Sequence, residues 1–277
     1  MEIAVDICTK NTALNKKVIE KVSGVNEESI TDYLIWKWAE IDPNCSYFST
    51  QTHNRMKESG VTGSDFELWI RTKSGILPLS IQAKKFVKQT DSYHRKLRYP
   101  NNTNAQMDML FDYAKKNKMF ACYAFYTIPD VDSKTIGGHP AQDFGVFLAL
   151  GTFIKNLMKP IDTTSKKDKK TKSPVITKND ILKETIPLHA LFCCGDKLSI
   201  AKLLIKEYRK VYQLSAIDFR EFFPKLQDCP KHIQALFDKK PDGAREIFEA
   251  VHDDVDVAKE PSNKPRHIIA YDLTVKK

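Results

Sequence analysis

Three widespread catalytic motifs are missing from this chain of 277 residues. It contains no G-x-x-x-x-G-K-S/T, no G-x-G-x-x-G and no G-x-S-x-G run. The sequence therefore gives no support to a P-loop nucleotide hydrolase, a dinucleotide-dependent oxidoreductase or a hydrolase with a nucleophile elbow. No internal repeat occurs either, which excludes a repeat architecture.

Cysteine pairs suited to metal binding are also missing. The six cysteines form no C-x-x-C pair. His189, Cys193 and Cys194 offer too few correctly spaced ligands for a structural zinc site. We therefore expect no zinc site and free, reduced thiols, as in the cytoplasm.

Long hydrophobic runs are absent from the chain. The longest nearly apolar run, residues 144–154, has 11 residues, whereas a membrane-spanning helix needs roughly 20. The first residues, MEIAVDIC, carry acids where a secretory signal has a basic flank. We expect no association with a membrane and a location in the cytoplasm.

Acidic residues are in the minority, with 35 Asp and Glu against 44 Lys and Arg, which gives a net charge of +9. This excess makes a polyanion such as nucleic acid a candidate partner. Hydrophobic residues make up 42% of the chain and charged residues 29%. These are ordinary globular values, so collagen-like, coiled-coil and wholly disordered chains are excluded.

A lysine-rich segment divides the chain. Residues 155–172 contain seven lysines and two aspartates, and this composition predicts a linker or exposed loop over residues 161–175. We expect an α/β core over residues 1–160 and a mostly helical region of unknown role over residues 176–277. In that second region, helices are expected at residues 177–187, 196–212, 215–226 and 241–251, and a strand at residues 267–275.

The first region mixes helices and strands. A helix is predicted over residues 26–40, with Asn26 as its N-cap and Glu27 and Glu28 in the first turn, where the helix dipole favours acids. Further elements are expected as a helix at 104–116, a strand at 119–127 and a strand running into a helix at 144–158. The predicted fold is therefore α/β (α+β), a mixed sheet flanked by helices.

Two segments that alternate apolar and polar residues, 65–70 and 77–84, predict a β-hairpin. If its link is centred between residues 73 and 74, Asp65 lies opposite Gln82, and a register shifted by two places it opposite Lys84. One face of the hairpin is apolar. The other face carries Asp65, Glu67, Trp69, Gln82 and Lys84.

This polar face has the groups that a divalent metal and a phosphodiester would need. Mg²⁺ usually binds one or two carboxylates together with water and phosphate oxygens, and Asp65, Glu67 and the Gln82 carbonyl can supply such ligands. Lys84 is close enough to orient the attacking water or to stabilise the pentavalent state. The pattern predicts hydrolysis of phosphodiester bonds.

These residues resemble the PD-(D/E)xK (restriction-endonuclease-like) nuclease superfamily in its Q-x-K variant, with the early helix acids, Asp65 at a strand start and Gln82-Ala83-Lys84 on the next strand. Residues 24–127 are similar to an uncharacterised bacterial branch of it. The resemblance implies an Mg²⁺- or Mn²⁺-dependent deoxyribonuclease with a restriction-endonuclease-like core. It also implies that Asp65 is a metal ligand, that Gln82 replaces the usual acid and that Lys84 is the catalytic lysine.

A helix glutamate completes the site in this superfamily, and both Glu27 and Glu28 match it. Two positions depart from the pattern, because no proline precedes Asp65 and because Gln82 removes one negative charge. Glu67, on the same face, is expected to restore that charge.

A basic stretch follows Lys84. Residues 84–98 hold six basic residues and one acid, interleaved with aromatic residues, which predicts a nucleic-acid track. The track residues are Lys85, Lys88, Arg95 and Arg98. The resemblance further implies that Gln106, at the start of the next helix, supports substrate or metal.

The expected function is metal-dependent cleavage of DNA, in the restriction or anti-phage defence that such nucleases often serve. Three alternatives stay open: a catalytically silent nuclease fold used as a nucleic-acid-binding or regulatory module, an RNase of the same fold, and a protein scaffold. A homo-oligomer or a regulatory protein partner is expected to use residues 176–277.

Overall fold

The computed structural model describes residues 14–22, 24–52, 62–72, 75–86, 93, 97, 100–101, 104–138, 140–164, 175–192, 224–238, 265–272 and 274. The helices in these ranges are α1 (Lys16–Lys21), α2 (Glu27–Ile41), α3 (Gln106–Lys116), α4 (Gly151–Thr164), α5 (Lys178–Leu182) and α6 (Lys231–Asp238). The strands are β1 (Phe48–Thr52), β2 (Phe66–Thr72), β3 (Gly75–Phe86), β4 (Pro100–Asn101), β5 (Asn104–Ala105), β6 (Phe120–Thr127), β7 (Val146–Leu150), β8 (Thr185–Pro187) and β9 (His267–Asp272). Short 3₁₀ turns occur at Ile136–Gly138, Leu188–Leu191 and Leu226–Asp228.

Seven of the described strands form one mixed sheet in the order β1-β9-β2-β3-β6-β7-β8. The pairs β2–β9 and β3–β6 are parallel, and the other neighbouring pairs are antiparallel. The two short strands β4 and β5 pair with each other. The α/β class predicted from the sequence, a mixed sheet flanked by helices, is confirmed.

Both faces of the sheet are covered. On one face, Ile30, Leu34 and Trp38 of α2 pack against apolar side chains of β2, β3, β6 and β9. On the other face, the central strands pack against α3 and α4, and the β2–β9 side packs against α6. The hairpin therefore lies between two helical layers, with its polar face under α3.

Local sequence explains where α2 begins and ends. The Asn26 side chain accepts a hydrogen bond from the Ser29 N–H (2.9 Å), as an N-cap does. The chain leaves the helix at Asp42, whose buried carboxylate accepts hydrogen bonds from three backbone N–H groups of residues 46–48. Asp42 thereby directs the chain into β1.

The hairpin register agrees with the prediction, because Phe66 pairs with Ile81 and Thr72 with Gly75. The helix predicted over residues 177–187 is wrong beyond Leu182. A proline disfavours helical conformation at the residue before it, and Thr185–Pro187 instead pairs with β7 as an edge strand.

Several predictions fall wholly or partly outside the described residues. These are the helices at 196–212, 215–226 and 241–251 and most of the linker at 161–175, of which residues 161–164 belong to α4. The strand predicted at 267–275 is present over His267–Asp272 as β9, and Thr274 lies outside it. No helix within the described ranges has the length and apolarity that crossing a bilayer requires.

Candidate functional site

The candidate site lies where β3 continues past the start of β2. β2 begins at Phe66, opposite Ile81, so the following residues of β3 extend beyond it. Asp65 stays attached to β3 there, because its backbone N–H donates to the Ile81 carbonyl (2.9 Å) and its Oδ2 accepts from the Ala83 N–H (2.6 Å). Asp65 is thus hydrogen-bonded to the residues on both sides of Gln82.

Glu27 reaches the same strand from helix α2. Its Oε2 accepts a hydrogen bond from the Lys85 N–H at 2.5 Å. Backbone N–H groups two residues apart on a strand point to the same side. The Ala83 and Lys85 N–H groups therefore share one edge of β3, and Asp65 and Glu27 accept the hydrogen bonds that a longer β2 would accept there. The early end of β2 therefore brings a loop carboxylate and a helix carboxylate to one edge of β3.

Gly63 allows the loop before Asp65 to approach helix α3 closely. Its φ is +61°, and a Cβ at this position would lie 2.7 Å from both the Gln106 carbonyl oxygen and the Leu110 nitrogen. Glycine tolerates both this conformation and this close approach. The loop that holds Asp65 and the turn that carries Gln106 therefore pack directly against each other.

Gln82 is fully buried on β3, and neither atom of its amide has a hydrogen-bond partner within the described residues. The hydroxyls of Ser80 and Tyr123 are buried and without a hydrogen bond in the same part of the chain. Ser80 lies two residues away on the same face, and Tyr123 is the register partner of Gln82 on β6. Burying a polar group without a hydrogen bond costs about 1–3 kcal/mol. Such a group requires an explanation, of which a bound ion is one.

Lys84 brings a buried positive charge to the site. The residue is 7% exposed, and its Nζ donates to the Gln106 Oε1 at 3.0 Å. Its positive charge stabilises the Asp65 carboxylate and so acts to lower the pKa of that group. Lys84 is therefore held between the hairpin and α3 with its charge directed at the site.

Negative charge at the site is only partly compensated. Burial raises the pKa of Asp65 to about 6, from an ordinary value of 3.8. Lys84 and the Ala83 N–H act against this rise, whereas the Glu27 and Glu28 carboxylates add to it. An added cation would favour the ionised form of Asp65.

Glu67 has different surroundings, although it lies on the same face of the hairpin. It is 3% exposed. Its Oε2 accepts from the Trp69 Nε1 (2.8 Å) and its Oε1 from the Tyr113 hydroxyl (2.6 Å). Both carboxylate oxygens are bound by protein donors, which disfavours the ligand role predicted for Glu67.

The two helix glutamates also differ. Glu27 is bound to β3, whereas the Glu28 side chain is 50% exposed and its Oε2 lies 3.7 Å from the Arg266 Nη1. The sequence alone could not decide which of these two glutamates is the helix ligand. The structure favours Glu27, because it shares the β3 edge with Asp65.

The predicted nucleic-acid track is only partly described. The Lys85 ammonium donates to the Val25 carbonyl, and Gln106 holds Lys84. Lys88, Arg95 and Arg98 lie outside the described residues. Their contact with nucleic acid stays a prediction.

Three residues near the site had no role in the sequence prediction. Tyr113 and Tyr123 reach it through long-range packing, which no local pattern encodes. Arg266 lies about 200 residues after Asp65 in the sequence, directly before β9, which pairs with β2. The single local signal was the alternation that placed Trp69 on the face of Glu67.

The oxygen donors at the β3 edge suit a hard cation. Within the described ranges, no group of three or more His, Cys, Asp or Glu side chains is arranged to hold a metal ion. Mg²⁺, however, usually keeps several waters and binds one or two carboxylates and substrate oxygens. Asp65, Glu27 and the unpaired Gln82 amide fit this mode.

The chain was compared with known protein families and with curated proteins. The family model described as a family of unknown function (DUF6615) matches residues 5–271. No curated protein matches the chain.

Proposed function

Because this chain belongs to the DUF6615 family, whose function is not established, we propose its function from the site: a metal-dependent nuclease that hydrolyses phosphodiester bonds of DNA. The observation that carries the proposal is the buried Gln82 amide, which has no hydrogen-bond partner within the described residues and lies beside Asp65 and Lys84. The resemblance to the PD-(D/E)xK superfamily rests on the same residues.

Asp65, Glu27 and the Gln82 amide oxygen are the proposed ligands of Mg²⁺ or Mn²⁺. All three are hard oxygen donors, as these ions prefer. The raised pKa of Asp65 supports this role, because burial first, and then the Glu27 and Glu28 carboxylates, disfavour its ionised form, and a bound cation would favour that form. Such an ion would supply an activated water and neutralise charge on the phosphate.

Lys84 supplies a fixed positive charge in this proposal. An ammonium group has three donors, and one of them is used by Gln106. The other donors can hold the attacking water or a non-bridging phosphate oxygen. Removing one such donor from a preorganised site typically lowers the rate by about 10²–10³.

Glu67 has a supporting role in the proposed site. Its hydrogen bonds to Trp69 and Tyr113 join β2 to α3. Because α3 also carries Gln106, these bonds help to keep the partner of Lys84 in position.

DNA is the proposed substrate, and the net charge of +9 supports a polyanionic partner. A role in restriction or anti-phage defence, a cytoplasmic location and a homo-oligomeric or regulatory contact through residues 176–277 belong to the same proposal.

The proposal is tested by incubating supercoiled plasmid DNA with the full chain in Mg²⁺, in Mn²⁺ and in EDTA, with structured RNA in parallel. We expect nicking that needs metal and that is lost in Asp65→Ala and Lys84→Ala. Lys178→Ala is the matched control, because Lys178 is also mostly buried but pairs with Asp130.

Each other outcome contradicts the proposal in a defined way. Retention of DNA in a binding assay without any cleavage identifies a silent nucleic-acid-binding module. Cleavage of RNA alone identifies an RNase. Nicking that survives both site substitutions assigns the activity to other residues or to a contaminant.

A further inference from the structure

A polar cluster at the start of β9 joins this strand to helix α2. Asp32 is at its centre, with its Oδ2 accepting from the Arg266 Nη2 (2.8 Å) and its Oδ1 in hydrogen-bond contact with the His267 Nε2 (2.9 Å). The His267 Nδ1 lies 3.1 Å from the Thr52 hydroxyl on β1. We call Thr52, His267, Asp32 and Arg266 the Asp32 clamp.

Glu28 lies beside the Asp32 clamp and contacts its arginine. Glu28 and Asp32 are four residues apart on α2, so their side chains share one side of the helix. Arg266 lies against both, since its Nη1 is 3.7 Å from the Glu28 Oε2 while its Nη2 binds Asp32. One guanidinium therefore offsets the repulsion between two carboxylates.

Helix α2 is held at its first turns from two directions. Glu27 is bound to the β3 backbone at Lys85, and Asp32 is bound to His267, the first residue of β9, and to Arg266 just before it. Glu27 and Glu28 are adjacent in the first helical turn, and the Glu28 carboxylate lies on the side of α2 that faces Arg266, 3.7 Å from its Nη1. Glu27, in contrast, is the helix carboxylate that is hydrogen-bonded to the edge of β3 beside Asp65.

We infer that Arg266 is a positioning residue that holds Glu28 away from the β3 edge and thereby makes Glu27 the helix carboxylate of the proposed metal site. The inference rests on the proposed function. It assigns a role in the site to a residue of the C-terminal region, through the β9 strand that lies beside β2.

A purely structural role for Arg266 predicts different behaviour. Removing one partner of this partly buried ion pair destabilises the fold whatever the function. A second arginine provides the matched control, because Arg71 pairs with Asp272 at 3.2 Å and also joins β2 to β9, at the other end of these strands. Loss of that pair removes a similar contact far along the strands from Asp65.

The test measures Mn²⁺ affinity by calorimetry and unfolding in urea on the full chain, for wild type, Arg266→Met, Arg266→Lys and Arg71→Met. We expect Arg266→Met to weaken Mn²⁺ binding about 10-fold, the lower end of the range for changes outside the ligands of a metal site, because Glu28 is then no longer held apart from Glu27. Arg266→Lys keeps the charge and is expected to retain part of the affinity. Arg71→Met is expected to keep wild-type affinity.

The double variant Arg266→Met/Glu28→Gln separates positioning from support. If Arg266 acts by restraining Glu28, removing the Glu28 charge makes the arginine unnecessary, and Mn²⁺ affinity returns toward the wild-type value. If Arg266 only supports the fold, the second substitution restores nothing.

The outcomes also separate this inference from the proposed function. Wild-type Mn²⁺ affinity in Arg266→Met, or no recovery in the double variant, overturns the inference and leaves the nuclease proposal intact. A wild-type chain that neither binds Mn²⁺ nor nicks DNA overturns both.

Discussion

Glu67 and Gln82 lie on the same face of one hairpin and are both buried, yet their surroundings are opposite. Each oxygen of the Glu67 carboxylate accepts a hydrogen bond, one from the Trp69 indole and one from the Tyr113 hydroxyl. The Gln82 amide has no hydrogen-bond partner among the residues that the structure describes. The two side chains differ in what they can contribute to the folded protein.

This contrast separates stability from function. A buried polar group whose hydrogen bonds are made supports the fold, and removing it leaves its partners unsatisfied. A buried group whose hydrogen bonds are not made costs stability, and sites of this kind are often functional. Glu67 therefore belongs to the scaffold, whereas Gln82 belongs to the proposed site.

The largest expected difference concerns activity. Gln82→Leu removes a proposed ligand, so we expect metal-dependent nicking to fall on the order of 100-fold. Glu67→Gln keeps an acceptor near Trp69 and Tyr113 and is expected to change nicking by less than about threefold, since only outer support is altered. The rates of plasmid nicking by the two variants and the wild type, at saturating Mn²⁺, measure both effects. Equal losses in the two variants would remove the distinction.

The next largest effect concerns the stability of the Glu67 side. Glu67→Leu leaves the buried Trp69 indole N–H and the half-buried Tyr113 hydroxyl without an acceptor, at a cost of about 1–3 kcal/mol for a fully buried group and less for a half-buried one. We expect the free energy of unfolding in urea to fall by about 2–4 kcal/mol. Tyr113→Phe removes only one donor, so its free energy of unfolding should fall by less. If Glu67→Leu leaves the free energy of unfolding unchanged, these hydrogen bonds contribute little to stability.

The pH dependence of stability probes the charge at Asp65. Its pKa in the folded chain is raised by burial to about 6, from 3.8, so the folded state binds this proton more tightly than the unfolded chain does. The resulting stabilisation is complete below about pH 4 and is lost as the pH rises through about 6. In EDTA, the wild type should therefore lose about 1 kcal/mol relative to Asp65→Asn between pH 4 and pH 7, after allowance for partial exposure.

Urea unfolding of both proteins across this pH range provides the measurement for Asp65. Other acids titrate in both proteins and cancel in the difference. A difference that is flat with pH, or that favours the wild type at neutral pH, contradicts the raised pKa.

The smallest effect expected is the stability change in Gln82→Leu. Replacing an unpaired buried amide by an apolar side chain removes a desolvation cost, so the metal-free protein should be unchanged or more stable by up to about 1 kcal/mol. The same unfolding measurement, made in EDTA, reports this change. A large loss of stability would reveal that Gln82 has a structural partner.

The hairpin was the part of the fold most open to prediction. Its apolar and polar residues alternate and its link is short, so residue spacing left two registers, and the structure has the one that pairs Phe66 with Ile81. The convergence of Asp65 and Gln82 then needed only the alternation of side chains along a strand. Helix α2 was also predictable, because its cap and first-turn acids are local signals.

The partners of these residues could not be predicted. The choice between Glu27 and Glu28 depends on where the β3 edge lies relative to α2, which is set by packing between distant segments. Tyr113 binds Glu67 across 46 residues of chain. No local sequence pattern predicts that β9 pairs with β2, because parallel strands are joined by long connections and these two are about 200 residues apart.

The late position of β9 in the chain affects how the protein can fold during synthesis. Phe66 pairs with His267, so the strand between β1 and β2 is missing from any nascent chain that has not yet been extended past residue 260. Pairings between such distant segments form slowly, because a large loop must close first. Arg266 joins α2 at the same late stage, so its contacts with Glu28 and Asp32 can form only after the Asp65 hairpin and the contact of Glu27 with Lys85. In the proposed site, the contacts of Arg266 with α2 therefore cannot form until the chain has been extended past residue 266.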